Sequence, residues 1–140
     1  MKSFLQRSMH AGMIASALLL FNQCSNAQDA QSAPGSVQHV DAAAFDQAMK
    51  AEPGQLVDVR TPDEYSEGHL EGAVNIDFYD EHFKENCSRL DKEKTVYVYC
   101  HSGGRSGKAT DMLHEEGFKS VVDLSGGITG WKEAGMPVTR

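Results

Sequence analysis

Positive charge is scarce in this chain: 13 Lys and Arg stand against 20 Asp and Glu among 140 residues, for a net charge of −7. A domain that grips nucleic acid needs a cationic surplus to displace the counterions around phosphates, so that partner class is disfavoured. Cysteine is scarce too, at three residues. That is too few for the disulfide framework that props up tiny secreted domains, so a buried core has to hold the fold. The apolar stretch Ala11 to Phe21 falls short of the roughly 20 residues that cross a bilayer core as a helix. Internal repeats, heptads and blocks of like charge are missing. What is present is ordinary globular composition, 40% hydrophobic and 24% charged, with a length that limits the chain to one folded domain.

The N-terminus has three parts. Lys2 and Arg7 give the start its positive charge, the apolar stretch Ala11 to Phe21 follows, and Ser25-Asn26-Ala27 supplies small residues where signal peptidase prefers them. Residues 1–27 therefore read as an export signal cut after Ala27, with periplasmic or secreted destination. A second reading makes Cys24 the lipid-modified first residue of an anchored lipoprotein, but Asn22 and Gln23 before it fit that signal poorly. Removing residues 1–27 takes away two cations and no acid. Residues 28–36 are small and polar with no apolar period, the composition of a flexible leader. The folded domain is then expected over 37–140, with no membrane span in the mature chain.

From residue 37 onward, short β-branched runs alternate with helical patterns. Strands are expected at Val37–Val40, Leu56–Val59, Ala73–Ile76, Thr95–Tyr99 and Val121–Leu124. Helices are expected over Ala42–Lys50, Pro62–Glu67, Asp77–Leu90, Ser106–Glu116 and Gly127–Ala134. Such alternation predicts an α/β domain whose mostly parallel five-stranded sheet carries helices on both faces. Thr95 to Tyr99 is apolar or aromatic on both faces, as a central strand requires. Asp41 suits an N-cap, Pro62 a first helical turn and Gly117 a helix end. Within Asp77–Leu90, the residues Tyr79, Phe83, Cys87 and Leu90 recur at helical spacing and form one apolar stripe.

The chemistry concentrates in Cys100-His101-Ser102-Gly103-Gly104-Arg105-Ser106, between the most strand-like run and a helix. Open α/β sheets bind ligands at this end of their strands. Two glycines let the backbone curl so that successive amide N–H groups point into one cup, to which the following helix adds its positive end. A cysteine on the floor of an anion-binding cup is stabilised as thiolate, and Arg105 can add a full positive charge.

These residues resemble the rhodanese family of sulfurtransferases, whose catalytic cysteine opens a six-residue loop after a central strand. Here that loop is Cys100 to Arg105. Asp58-Val59-Arg60, Glu64-Tyr65, Gly68-His69-Leu70, Gly72-Ala73 and Asn75-Ile76 match the family's first motif, and Leu124, Gly126-Gly127 and Trp131 match its closing one. The resemblance implies a three-layer rhodanese-like fold and a thiosulfate sulfurtransferase of the small periplasmic single-domain type. Cys100 would take sulfur from an anionic donor such as thiosulfate as a persulfide, then hand it to a thiophilic acceptor, a small molecule or a protein. It implies no metal and no organic cofactor. His101, Ser102, Gly103, Gly104, Arg105 and Ser106 would surround the substrate. Cysteine-dependent phosphatases also hold a thiolate in an amide cup, but place five residues between Cys and Arg where this chain has only His101 to Gly104.

Other residues divide between chemistry and support. Arg105 can face the substrate, or turn inward to pair with Asp58 or Glu64 and brace the loop. His101 stands where many relatives carry Arg or Lys, which exchanges a permanent charge for one only partly present near neutrality. Asp58, Arg60 and His69 read as bracing residues near strand ends, Cys87 as core rather than a resolving thiol, and Trp131 as packing. The histidines show no close ligand pair, so no metal site is assigned. Two alternatives to the enzyme stand beside it: a non-catalytic persulfide carrier or binding module loaded by a partner protein, and a redox protein using Cys87 with Cys100.

Overall fold

The computed structural model describes residues 35–140. The expected export signal, the alternative reading of Cys24 as a lipidated residue and nearly all of the expected leader fall outside the described residues. Five strands, β1 (Ser36–Val40), β2 (Gln55–Asp58), β3 (Val74–Asn75), β4 (Val96–Tyr99) and β5 (Ser120–Leu124), alternate with five helices. The helices are α1 (Ala42–Ala51), α2 (Pro62–Glu67), α3 (Phe83–Cys87), α4 (Gly104–Glu115) and α5 (Gly127–Glu133). Every strand pairing is parallel, in the order β1-β5-β4-β2-β3. The expected α/β architecture with helices on both faces is what the chain adopts.

The period of two along β4 sorts the core into two layers. Val96 and Val98 point to one face, where they pack with Phe83 and Cys87 of α3 and Ala109 and Leu113 of α4. Tyr97 and Tyr99 point to the other, against Phe45 of α1 and Ile128 and Trp131 of α5. Cys100 continues the alternation and belongs to the α3/α4 face. The central strand is buried throughout, as its composition predicts.

Local signals hold at most element ends. The Asp41 side chain accepts from the Ala44 N–H at 2.9 Å, Pro62 opens α2, and Gly117 leaves α4 at φ +90°. β1 begins at Ser36, one residue before the expected start, because the strand ladder with β5 begins at Ser36 opposite Ser120. The third strand shrinks to Val74–Asn75, the only stretch of it that pairs with β2.

The largest correction concerns Asp77–Leu90, where only Phe83–Cys87 is α-helical. Two aspartates redirect the backbone: Asp77 accepts from the Tyr79 N–H at 2.9 Å and Asp80 from the His82 N–H at 2.8 Å. Such local side-chain bonds compete with helix formation. Tyr79 consequently leaves the apolar stripe and is 69% exposed, whereas Phe83 and Cys87 remain in the core.

Candidate active site

Cys100 follows the last residue of β4, and the chain turns there through Gly103 into α4. Gly103 has φ +101°, and a Cβ on it would sit 2.0 Å from the Ser125 carbonyl oxygen, so this position requires glycine. The outer side of the turn is tied to the start of α5. The Cys100 carbonyl accepts from the Ile128 N–H at 2.8 Å, and the His101 carbonyl accepts from the Thr129 N–H at 3.1 Å and its hydroxyl at 2.9 Å. Such an approach of α5 depends on Gly127, at φ +58°, where a Cβ would lie 2.5 Å from the His101 carbonyl. With these carbonyls bound outward, the loop's N–H groups remain for the sulfur.

The Gly103 N–H donates to Cys100 Sγ at 3.1 Å. Burial raises the thiol's pKa. The polar groups around the sulfur, the Ser106 hydroxyl and the N–H groups of Ser106, Gly103 and Ser102, favour the thiolate and outweigh that, and the net shift is downward. The Ser106 hydroxyl has one proton and a second acceptor in range, the Gly103 carbonyl at 3.3 Å. An ionised sulfur is the stronger acceptor of the two. Cys100 borders a cleft of about 310 Å³ that is lined also by Phe78, Tyr79, Ser102, Gly104, Arg105 and Lys108.

Arg105 lies in the first turn of α4 and pairs with a carboxylate. Its Nη1 and Nη2 donate to Glu64 Oε2 and Oε1, each at 2.7 Å. The alternative partner, Asp58, does not meet it. Glu64 is itself fixed by the capping box of α2, accepting from the Thr61 N–H at 3.0 Å while its own N–H donates to Thr61 Oγ1 at 3.4 Å. The Arg105 bonds, aided by Thr61, hold the Glu64 carboxyl down at about 2. On its other side the Arg105 guanidinium lies 5.6 Å from the Tyr79 ring centroid.

Asp58 and Arg60 make a second bidentate pair, but on the far face of the sheet. Arg60 Nη2 donates to Asp58 Oδ2 at 2.6 Å and to the Gly68 carbonyl at 2.7 Å, and the guanidinium lies 5.7 Å from the Tyr99 ring centroid. Both side chains are buried and neither lines the cleft. Their place is a brace between the end of β2 and the segment after α2. His69 is likewise structural: it stacks on Tyr65 at 3.8 Å between centroids, and its backbone pairs with Thr139. Trp131 packs edge-on to Phe45 and donates to the Pro137 carbonyl at 2.8 Å.

Of the loop residues, Ser102, Gly104 and Arg105 join Cys100 in lining the cleft, while the Gly103 N–H donates to the sulfur and Ser106 stands beside it with its hydroxyl on the Gly103 carbonyl. His101 is exposed outside that lining and contributes its carbonyl to the α5 contact. Sequence reasoning missed Phe78, Tyr79 and Lys108. The first two fall in Asp77–Leu90, whose spacing predicts a helix. Lys108 had a usable signal, since it lies three and four residues beyond Arg105 and Gly104 and therefore shares their helix face.

The rhodanese-like domain family matches residues 41–134. Over 99 residues the chain is 31% identical to a thiosulfate sulfurtransferase GlpE of Shewanella oneidensis, covering 71% of this chain and 96% of that one. It is 37% identical over 84 residues to the thiosulfate sulfurtransferase PspE of Escherichia coli, covering 60% and 77% respectively. The crystal structure of a rhodanese-related protein from Thermoplasma volcanium superposes with a TM-score of 0.65 at 32% identity, over 73% of this chain and 97% of that one.

Proposed function

The chain belongs to the rhodanese-like domain family, with a sulfurtransferase role, and we propose that it transfers the outer sulfur of thiosulfate or a similar donor through a persulfide on Cys100. The Cys100 thiolate attacks the outer sulfur, a new S–S bond forms, and the donor's own S–S bond breaks with its electron pair leaving on sulfite. A thiophilic acceptor, cyanide in the assay, then attacks the outer sulfur of the persulfide and returns Cys100 to thiolate. Neither step consumes an oxidant or a metal-bound species. The observation that carries the reading is the cup itself: a cysteine at the floor of an open cleft whose pKa is lowered by converging donors despite burial.

Several features support this assignment of roles. The amides that stabilise the thiolate are placed to stabilise a persulfide anion on the same side chain. Arg105 braces the cup by joining α4 to α2, and Glu64 keeps that arginine in place. Export by residues 1–27 belongs to the same proposal. Among the described residues, no helix is long and apolar enough to cross a membrane. Steady-state turnover of thiosulfate with cyanide tests the function. We expect thiocyanate formation by the wild type and none above background by Cys100→Ser; turnover by that variant would overturn the reading. Failure of free thiosulfate to load a wild-type thiol that is shown to be reduced would favour the partner-loaded carrier instead.

A further inference from the structure

Arg105 is the obvious cation for an anionic donor, yet its charge is offset. Both terminal nitrogens are engaged by Glu64 at 2.7 Å, so that this carboxylate, although outside the cleft lining, offsets the arginine's charge from behind. Counting Cys100 as thiolate, the sum over Cys100, Arg105 and Glu64 is one negative charge. A dianionic donor would meet a repulsive entrance if these were the only charges present.

Lys108 changes that sum. It lies on α4 one turn beyond Gly104 and Arg105, is exposed, and lines the cleft together with Cys100. Among the described residues no carboxylate lies within ion-pair distance of it, although Asp111 follows three residues later on the same helix. The helix face that leads from the cleft to it is open at Gly104, where a Cβ would meet nothing within 4 Å. A flexible, unpaired ammonium beside an open cleft is suited to follow an oxyanion as it enters and leaves.

We propose that Lys108 is the donor-selecting residue of this site: it holds the sulfonate end of a dianionic sulfur donor while the outer sulfur reaches Cys100, and then the departing sulfite. The inference rests on the sulfurtransferase reading above. Lys108 forms no bond to the transferred sulfur, so its contribution falls on capture of the donor and not on the acceptor half of the cycle. A neutral acceptor thiol should not sense it.

The test compares two donors in the full chain, thiosulfate and methanethiosulfonate, which offers the same kind of outer sulfur with one negative charge fewer. In Lys108→Gln we expect kcat/KM for thiosulfate to fall about tenfold, kcat/KM for methanethiosulfonate to fall about threefold, and kcat/KM for a neutral thiol acceptor to hold. Lys108→Arg should restore most of the thiosulfate value, and the fall of kcat/KM with added salt should flatten in the Gln variant. An unchanged kcat/KM for thiosulfate in Lys108→Gln overturns the proposal, as does an equal loss for both donors that Arg does not rescue. If wild type turned over neither donor, the sulfurtransferase reading itself would fall, a result distinct from either of those.

Discussion

Two thiols in this molecule are almost equally hidden, Cys87 with 4% of its surface exposed and Cys100 with 1%, and both are free. Their pKa values move in opposite directions. Cys87 ends α3 among Phe83, Leu113 and Phe118, where nothing among the described residues donates to its sulfur, and burial pushes its pKa up to about 11. Cys100 shares the same apolar layer, but its sulfur faces the start of α4 and a turn whose carbonyls are tied elsewhere, and its pKa moves down. Burial alone therefore does not set reactivity. What separates the two is a set of loop N–H groups gathered around one sulfur before any charge forms, the Gly103 N–H donating to it at 3.1 Å, together with an opening on the cleft side.

The strongest way to break this comparison is to remove each thiol. Cys100→Ser should abolish sulfur transfer with the circular dichroism spectrum intact, whereas Cys87→Ala should retain transfer and lose about 1 kcal/mol of stability in urea melts, the cost of a small buried group. Loss of activity in the Cys87 variant would bring back a paired-thiol redox role. A second contrast is kinetic. At pH 7, iodoacetamide should modify Cys100 at least about a hundredfold faster than Cys87, and the Cys100 rate should persist at pH values where a free thiol, with pKa about 8.5, slows. Peptide mass mapping reads both sites in one experiment.

A third contrast sharpens the role of the turn. Gly103→Ala forces a side chain into positive φ and against the Ser125 carbonyl, and should cost about 1–3 kcal/mol of stability and at least about tenfold in kcat/KM. Gly104→Ala, next to it in sequence but with open space where its Cβ would go, should leave stability within about 1 kcal/mol of wild type. Equal damage from both would mean that the turn's backbone is not what positions the donors.

The smallest effect concerns Glu64. Its folded-state pKa is depressed from an ordinary 4.5 to about 2, so its pairing with Arg105 stabilises the fold fully above the unfolded value. That contribution is lost as pH falls from about 5 through about 2. Because the pair is partly exposed, the loss should be below about 1 kcal/mol in acid melts. Glu64→Gln should remove that pH-dependent part. A stability profile in which wild type and variant fall in parallel over this range would assign the acid sensitivity elsewhere.

Much of this was legible in the sequence because several levels agreed. β-branched runs, helix caps at Asp41 and Pro62, and the doubly apolar Thr95–Tyr99 each pointed to a parallel sheet, and the loop after it was identifiable from cysteine, paired glycines and arginine together. Legibility ended where tertiary partners decide. Tyr79 matched a helical stripe by spacing, but the bonds made by Asp77 and Asp80 turned it out to the cleft beside Arg105. Arg105 had two acidic candidates, and only the fold shows that the sheet puts Asp58 on the opposite face and Glu64 within reach. Gly127 matched a closing motif, but the close approach of α5 to the loop carbonyls is a property of three dimensions.

The central claim, that Cys100 is poised to accept sulfur while Cys87 is inert, is tested most directly by the intact mass of the reduced protein before and after thiosulfate, with Cys100→Ser alongside. The account predicts a gain of one sulfur atom in the wild type, retained in Cys87→Ala and absent in Cys100→Ser. No gain in wild type with a demonstrably free Cys100, or a gain that survives Cys100→Ser, would contradict it.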